Sequence, residues 1–176
     1  DQPGVDIQKT RAVSARADYQ ITDSLSFQGL VSLALSDLEY SFDEDWGHDG
    51  ICQNTACDSD LFGFDWFYSS LDNYQRENDN TSIDLRLVSN AGDTHNWVLG
   101  LYHRDQKIDL GRVYSFAEAD FSSQFYTTNT AIYGQYELSL SSQWSLSSGL
   151  RFEQRELDYD DNSGATASTD ENLWGG

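Results

Sequence analysis

The chain has 176 residues, of which 30 are acidic and 10 are basic, giving a formal net charge of -20 at pH 7. This balance excludes nucleic acid as a partner, because phosphate binding requires clustered Lys and Arg side chains. No stretch approaches the roughly 18 consecutive apolar residues that a membrane-spanning helix needs.

Apolar residues recur at every second position in several segments, which is the pattern of strands with one apolar face. No long segment has the i, i+3, i+4, i+7 spacing of an amphipathic helix. We therefore predict an all-β fold, an antiparallel meander of about six long strands. The strands are expected at residues 8–21, 25–42, 74–90, 95–113, 123–140 and 144–160, and a seventh is expected to begin near Asn172.

The connections between these strands alternate in length. Tight turns are predicted near residues 21–25, 90–93 and 141–143, where Asp, Asn, Gly and Ser favour turns. Long loops are expected near residues 43–72, 111–123 and 160–170. Bacterial outer-membrane barrels have this asymmetry of short periplasmic turns and longer extracellular loops. A mean hydropathy of -0.61 does not argue against a barrel, because its strands alternate lipid-facing and lumen-facing residues.

Aromatic residues lie close to the predicted short turns. Membrane barrels carry aromatic girdles at their interfaces with water, so this placement favours the same interpretation. The residues concerned are Tyr19, Phe27, Trp97, Tyr136 and Trp144.

Four phrases of the sequence resemble consecutive barrel strands of TonB-dependent outer-membrane receptors. They are residues 80–90 (NTSIDLRLVSN), 96–102 (NWVLGLY), 129–136 (NTAIYGQY) and 146–153 (LSSGLRFE). The resemblance implies a bacterial outer-membrane location, a barrel of about 22 strands, and uptake of a scarce nutrient such as a ferric siderophore. It also implies an N-terminal plug domain, through which the inner-membrane TonB complex drives transport. No plug is visible in the sequence, so residues 1–176 are expected to form a partial barrel wall.

The barrel interpretation assigns the two faces of the strands to different surroundings. Outer-membrane lipid is the expected partner of Leu25, Phe27, Val31, Leu33, Leu85, Leu87, Leu99, Leu101, Leu150 and Phe152. The opposite face is expected to line the lumen and to contact the plug, with Arg86, Arg104, Arg151, Glu153 and Arg155 as candidates. Cross-strand pairing on a polar face is the simpler role for these charged residues.

The longest predicted loop holds the candidate ligand contacts. Its aromatic run at residues 62–68 follows an acidic stretch at residues 43–49. Aromatic side chains give contact area at low entropic cost, so Trp46, Trp66, Phe67 and Tyr68 are the candidates for contact with a small ligand such as a metal chelate. Packing within the loop is the alternative role.

The same loop contains Cys52 and Cys57. Because an outer-membrane protein folds through the oxidising periplasm, we predict a local disulfide between them, with free thiols or a metal site as alternatives. The acidic residues lack the spacing of a calcium loop, so we predict no metal site and no cofactor. His48, His95 and His103 belong to no recognisable catalytic arrangement, and we predict that the chain is not an enzyme.

Two other functions compete with a TonB-dependent receptor. One is a porin-like outer-membrane barrel without a plug. The other is a soluble carbohydrate-binding β-sandwich, in which the apolar faces of two sheets meet in one dry core. A single sheet with its apolar face uncovered would contradict the sandwich.

Overall fold

The computed structural model describes residues 4–43, 71–90, 94–115 and 117–176. The predicted ligand contacts Trp46, Trp66, Phe67 and Tyr68 lie outside these ranges, as do Cys52 and Cys57. Within the described ranges, no helix has the length and apolar character needed to cross a membrane.

The described residues form one antiparallel sheet in which each strand pairs with the next along the chain, in the order β1 to β7. The predicted all-β meander is confirmed. The strands are β1 (Val5–Thr22), β2 (Leu25–Asp43), β3 (Leu71–Asn90), β4 (His95–Tyr114), β5 (Phe121–Ser139), β6 (Ser145–Asp161) and β7 (Thr166–Gly175). Six of the seven exceed the ~10 residues that a tilted strand needs to cross a bilayer.

The pairing register is continuous along almost the whole sheet. One irregularity lies at the end of β1, where the register shifts between Gln20 and Thr22 before the two-residue turn to Leu25. At the same end of the sheet, Leu140 and Ser141 donate backbone hydrogen bonds to the carbonyl of Trp144 and close the turn between β5 and β6. These connections form the short-turn end of the sheet, and the predicted tight turns at residues 21–25 and 141–143 are confirmed.

The opposite end of the sheet differs from the prediction in one place. The expected long loop near residues 160–170 is a turn of residues 162–165, and β7 begins at Thr166 rather than near Asn172. The Asp161 carboxylate accepts hydrogen bonds from the Ser163 and Ala165 backbone amides, and Gly164 adopts a φ of 88°. Asx turns of this kind need few residues, so the chain reverses at once.

The other predicted loops follow the strand ends more closely. The loop expected at 111–123 is shorter, because β4 extends to Tyr114 and β5 begins at Phe121. The loop expected at 43–72 is bounded by Asp43 and Leu71, and residues 44–70 within it lie outside the described ranges. This end of the sheet is called the loop end below.

The described sheet has almost no interior. Ala131 is the sole apolar residue that is fully buried among the described residues, and no second sheet faces the first. The sandwich alternative is therefore wrong for this part of the chain. Folding therefore leaves many large apolar side chains of the described strands uncovered by protein.

Candidate functional site

The pairing register sorts the side chains into two faces. Phe27, Leu87, Leu99, Gly134 and Leu150 lie opposite one another on successive strands and define the Leu99 face. All ten residues expected to contact lipid lie on this face. Side chains alternate along a strand, so the neighbouring positions define the opposite side, the Arg86 face. The lumen candidates Arg86, Arg104, Arg151, Glu153 and Arg155 all lie there.

The Leu99 face carries an exposed apolar band towards the short-turn end. Its large side chains are well exposed, with 55% for Leu101, 71% for Leu150 and 76% for Trp174. From the short-turn end to the position of His103, the described strands place no Asp, Glu, Lys or Arg on this face. An exposed apolar surface of this extent indicates a partner other than water.

The upper boundary of the apolar band is stepped rather than straight. On β2 the last apolar residue is Leu35, and on β3 it is Ile83, which the register aligns with Val31 of β2, four residues lower. From β4 to β6 the last apolar residues are Leu101, Ile132 and Phe152, which lie level with Gly29 of β2, six residues below Leu35. Six residues correspond to roughly 20 Å along a strand, so the band reaches furthest towards the loop end on β2.

The Leu99 face changes to an acidic surface above this boundary. Three basic residues, Lys9, Arg11 and Lys107, share it with a larger acidic group. The acidic residues are Asp37, Glu39, Asp43, Glu77, Asp79, Asp105, Asp109, Glu156, Asp158, Asp160 and Asp170. Much of the net charge of the strands therefore lies on this face, beyond the apolar band. Within the described part of the chain, no group of three His, Cys, Asp or Glu side chains is placed to hold a metal ion.

The Arg86 face is polar and nearly neutral. It carries seven of the eight arginines, namely Arg16, Arg76, Arg86, Arg104, Arg112, Arg151 and Arg155. Eight acidic residues share this face: Asp6, Asp18, Asp72, Asp84, Glu137, Glu153, Asp161 and Glu171. The two faces therefore differ in both hydrophobicity and charge.

Two ion pairs organise the centre of the Arg86 face. Arg86 donates to the Asp84 carboxylate through Nε at 3.1 Å, and the Tyr133 hydroxyl donates to the same carboxylate at 2.8 Å. Arg151 donates to Glu153 at 2.7 and 2.8 Å through two nitrogens. In both pairs the partners are two residues apart on one strand, because such residues share a face.

The ring of Tyr133 lies between these two ion pairs. The Arg151 guanidinium carbon is 5.8 Å from the centre of this ring and 5.3 Å from the ring of Tyr102. The ring also covers Gly100, its partner on β4, where the Cβ of any other residue would overlap it. The pairs surround a recess of about 370 Å³, lined by Asp84, Arg86, Tyr102, Tyr133 and Arg151 among others.

Arg104 has a different environment from these arginines. It donates to the amide oxygens of Asn80 at 3.3 Å and Gln106 at 2.9 Å, and Gln106 in turn donates to Asn78 at 2.9 Å. Both of these hydrogen-bond partners are neutral amides. Within the described residues, the positive charge of Arg104 is therefore not balanced by a direct ion pair. It is half-buried near the middle of the face.

A third cluster lies on the Arg86 face at the loop end. Arg112 donates to the two oxygens of Asp72 at 2.8 and 2.7 Å, and its guanidinium lies 4.9 Å from the ring centres of both Tyr74 and Tyr114. The hydrogen bonds from Arg112 hold the pKa of the Asp72 carboxyl below its usual range, and burial opposes this shift. Asp72 is only 2% exposed. One residue further on, the Ser115 amide donates to the Leu71 carbonyl at 3.0 Å, and the Leu71 amide donates to the Ser115 hydroxyl at 2.7 Å, which closes the base of both loops.

Sequence reasoning missed several of these residues. Asp72, Tyr74 and Arg112 were not candidates, because 40 residues separate Arg112 from Asp72 and the pairing depends on register. Tyr133 lies in the family-like phrase at residues 129–136. Its position over Gly100 and beside Asp84 follows only from the pairing of β3, β4 and β5. The alternation of Asp and Arg at positions 84 and 86 was the available signal for an ion pair along one strand.

A long antiparallel meander with an exposed apolar band on one side and a polar, arginine-rich surface on the other defines the wall of a membrane β-barrel. The family model described as "TonB dependent receptor-like, beta-barrel" matches residues 2–175. The chain therefore belongs to the TonB-dependent receptor family and is part of its β-barrel. The family consists of outer-membrane transport receptors rather than enzymes.

Solved structures of this kind share the fold at low sequence identity. The ferric yersiniabactin uptake receptor FyuA from Yersinia pestis matches with a TM-score of 0.65 and 17% identity, over 96% of this chain and 24% of that one. The ferric citrate transporter FecA matches with a TM-score of 0.66 and 11% identity, over 95% and 24%. The ferric-catecholate import receptor Fiu from E. coli, in its closed form, matches with a TM-score of 0.65 and 16% identity, over 97% and 30%.

These matches also set the scale of the chain. It spans about a quarter to a third of the length of each of these three receptors. No curated protein matches the sequence. The activity of a complete receptor is therefore a separate question from the structure of this part of its wall.

Proposed function

We propose that this chain is part of a bacterial outer-membrane receptor that takes up a scarce nutrient such as a ferric siderophore. The observation that carries the proposal is the division of one sheet into an exposed apolar band and a polar face with seven arginines. A barrel wall needs both surfaces, because it separates lipid from a water-filled or plugged lumen.

The lipid contact is proposed for the apolar band. This band includes the ten individual residues for which alternation along the strands predicts contact with lipid. Their uncovered state supports it, since water contact at such a surface costs roughly 25 cal/mol per Å². The absence of Asp, Glu, Lys and Arg from the band on the described strands supports it further, because charged side chains are costly in hydrocarbon.

The lumen contact is proposed for the Arg86 face. Arg86 and Arg151 lie behind the apolar band, whereas Glu153 lies just beyond Phe152 at its upper boundary and Arg104 just beyond His103. Charged groups at the depth of a bilayer are tolerated where they face a polar interior and are paired, and Arg86 and Arg151 have carboxylate partners. The proposed neighbour in the complete receptor is a plug domain that receives energy from the TonB complex.

The ligand is proposed to be a metal chelate held on the loop-end side. The titles of the matched structures name ferric yersiniabactin, ferric citrate and ferric catecholate, each a ligand of that protein. For this receptor, Trp46, Trp66, Phe67 and Tyr68 remain the candidate contacts, and a Cys52–Cys57 disulfide is the proposed constraint on their loop. Both proposals concern residues outside the described ranges.

Uptake by the complete receptor tests the proposal. A strain lacking its own siderophore receptors would express the full-length protein and receive a panel of ⁵⁵Fe-labelled siderophores. We expect accumulation of at least one of them, and loss of that accumulation when the TonB gene is deleted. Accumulation that persists without TonB would instead support the porin-like alternative. Failure of every ferric chelate, with the receptor present in the outer membrane, would contradict the choice of ligand class.

A further inference from the structure

The apolar stretch of β4 on the Leu99 face has a histidine at each end. The residues in order are His95, Trp97, Leu99, Leu101 and His103. The two histidines are eight positions apart, which corresponds to roughly 27 Å along the strand, or roughly 19–22 Å across a membrane at the ~35–45° tilt of barrel strands. The two histidines therefore bracket the apolar band, His95 at the short-turn end and His103 at its upper boundary.

The two histidines differ in their hydrogen bonds. His103 uses both ring nitrogens within the protein, with Nδ1 2.9 Å from the Thr130 hydroxyl and Nε2 3.0 Å from the Asp105 carboxylate. His95 uses one, with Nδ1 2.6 Å from the Tyr136 hydroxyl. Among the described residues, no hydrogen bond is made to His95 Nε2, and the side chain is exposed.

The surroundings of His95 are apolar and aromatic. The register places it opposite Leu138, which in turn lies opposite Leu146, and Trp97 and Tyr136 form the next cross-strand pair on the same face. The backbone is fixed here, because Ser139 donates to the Thr94 carbonyl at 2.9 Å. On this part of the Leu99 face, the described strands carry no charged side chain that could form an ion pair or a hydrogen bond with the His95 imidazole.

We propose that His95 and Tyr136 form a binding site for the phosphodiester of a phospholipid headgroup. This inference rests on the proposed membrane location. The phenol hydroxyl of Tyr136 donates to Nδ1, which leaves the proton on Nε2 to donate to a non-bridging phosphate oxygen. The site adjoins the apolar band, so the acyl chains of the same lipid lie against Leu99 and Leu138. The phosphate carries negative charge, so its oxygens accept this hydrogen bond more strongly than the neutral ester carbonyls that lie nearer the hydrocarbon.

The experiment uses the full-length receptor with ¹⁵N-labelled histidine, reconstituted into vesicles of phosphatidylethanolamine and phosphatidylglycerol. Solid-state NMR measures dephasing of the ring ¹⁵N signals by lipid ³¹P. We expect a dephased histidine signal that disappears in His95→Gln and weakens at least twofold in Tyr136→Phe. The matched control His103→Gln should retain it, because that ring is already satisfied by protein. An unchanged dephased signal in His95→Gln would overturn the site.

A second measurement separates failure of this site from failure of the membrane proposal. Brominated acyl chains quench tryptophans that touch lipid, and comparison with Trp97→Phe and Trp144→Phe variants isolates the fluorescence of these two residues in the same vesicles. Quenching of them without ¹⁵N–³¹P dephasing at His95 would overturn the headgroup site and leave the lipid-facing band standing. Absence of both quenching and dephasing would overturn both.

Discussion

At the scale of single residues, charge on this sheet is handled mainly along strands rather than between them. Arg16 pairs with Asp18, Arg86 with Asp84, Lys107 with Asp109 and Arg151 with Glu153, each two residues apart. Such pairs form as soon as a segment becomes extended, whatever its neighbours. The Asp72–Arg112 pair is the exception, because it joins β3 to β4 and its carboxylate is almost fully buried.

Replacement of Asp72 tests the importance of this cross-strand pair. Asp72→Asn removes the buried carboxylate that receives two bonds from Arg112, so the full-length receptor should melt at a lower temperature at pH 7. The folded pKa of Asp72 is lowered, so its contribution is present above the ordinary carboxyl pKa of about 4 and is lost as the pH falls through the folded pKa. The melting temperatures of variant and wild type should therefore converge below about pH 4. A gap of constant size from pH 7 to 3 would contradict an ionised Asp72.

Gly100 has a steric reason for its identity. The Tyr133 ring covers it and leaves no room for a Cβ, so Gly100→Ala must displace the ring and its hydrogen bond to Asp84. Overpacking of this kind costs about 1–3 kcal/mol. Denaturant titration of the full-length receptor should show this loss, whereas Gly111→Ala on the same strand should be nearly neutral because its Cβ meets no atom within 4 Å. Equal effects of the two substitutions would refute the steric explanation.

At the scale of the element, β4 shows how one strand serves two environments. Its side chains on the Leu99 face run from Trp97, Leu99 and Leu101 through His103 to Asp105, Lys107 and Asp109. Alternation persists along the whole strand, while the chemistry of the face changes from apolar to charged. A strand of 20 residues is therefore long enough to leave the bilayer on the loop side.

A pair of arginine substitutions on β4 tests where that change of environment occurs. Leu99 and Val113 are similarly exposed, at 46% and 50%, on the same face of the same strand. Leu99 lies midway between His95 and His103, so Leu99→Arg places a charge at the centre of the proposed lipid zone and should cost about 2–4 kcal/mol in a bilayer, whereas Val113→Arg should cost about 0–1 kcal/mol. Unfolding free energies in lipid vesicles measure both. If Val113→Arg proved the more damaging, the apolar band would not be the membrane zone.

The turn between β6 and β7 shows where sequence reasoning failed at this scale. Asp161, Ser163 and Gly164 are turn residues, yet the polar segment that follows them was interpreted as more loop. Thr166, Ser168 and Asp170 on β7 lie level with Asp160, Asp158 and Glu156 of β6, beyond the apolar band. This part of β7 carries polar side chains on the Leu99 face, so apolar residues do not recur at every second position. The period-two pattern therefore did not reveal the start of β7.

At the scale of the whole molecule, the net charge of -20 is unevenly distributed. On the described strands, the Arg86 face is nearly neutral, whereas the upper Leu99 face carries eleven acidic and three basic residues. The acidic residues that dominate the composition therefore lie largely at strand ends and in loops. The apolar band of the Leu99 face is free of Asp, Glu, Lys and Arg in the described ranges.

The barrel assignment predicts the orientation of the strands in a membrane. Closing a sheet into a barrel requires its strands to tilt relative to the barrel axis. Polarised infrared spectroscopy of the full-length receptor in oriented bilayers measures this tilt from the amide I dichroism. We expect a mean tilt of about 35–45° from the membrane normal. A mean tilt near zero would contradict the assignment of this sheet to a membrane barrel wall.

The sequence by itself determined the fold class, most strand positions and the division of residues between two faces, because strand alternation is a local property with period two. It also placed the ten predicted lipid-facing residues on one face of the sheet. The opposite face received Arg86, Arg104, Arg151 and Glu153. The tertiary structure decided which strands lie level with which residues of their neighbours. The Asp72–Arg112 pair, the Tyr133 ring over Gly100, the stepped upper boundary of the apolar band and the His95–Tyr136 pair all depend on that register. Register is set by contacts between residues far apart in sequence, so local pattern alone did not reveal them.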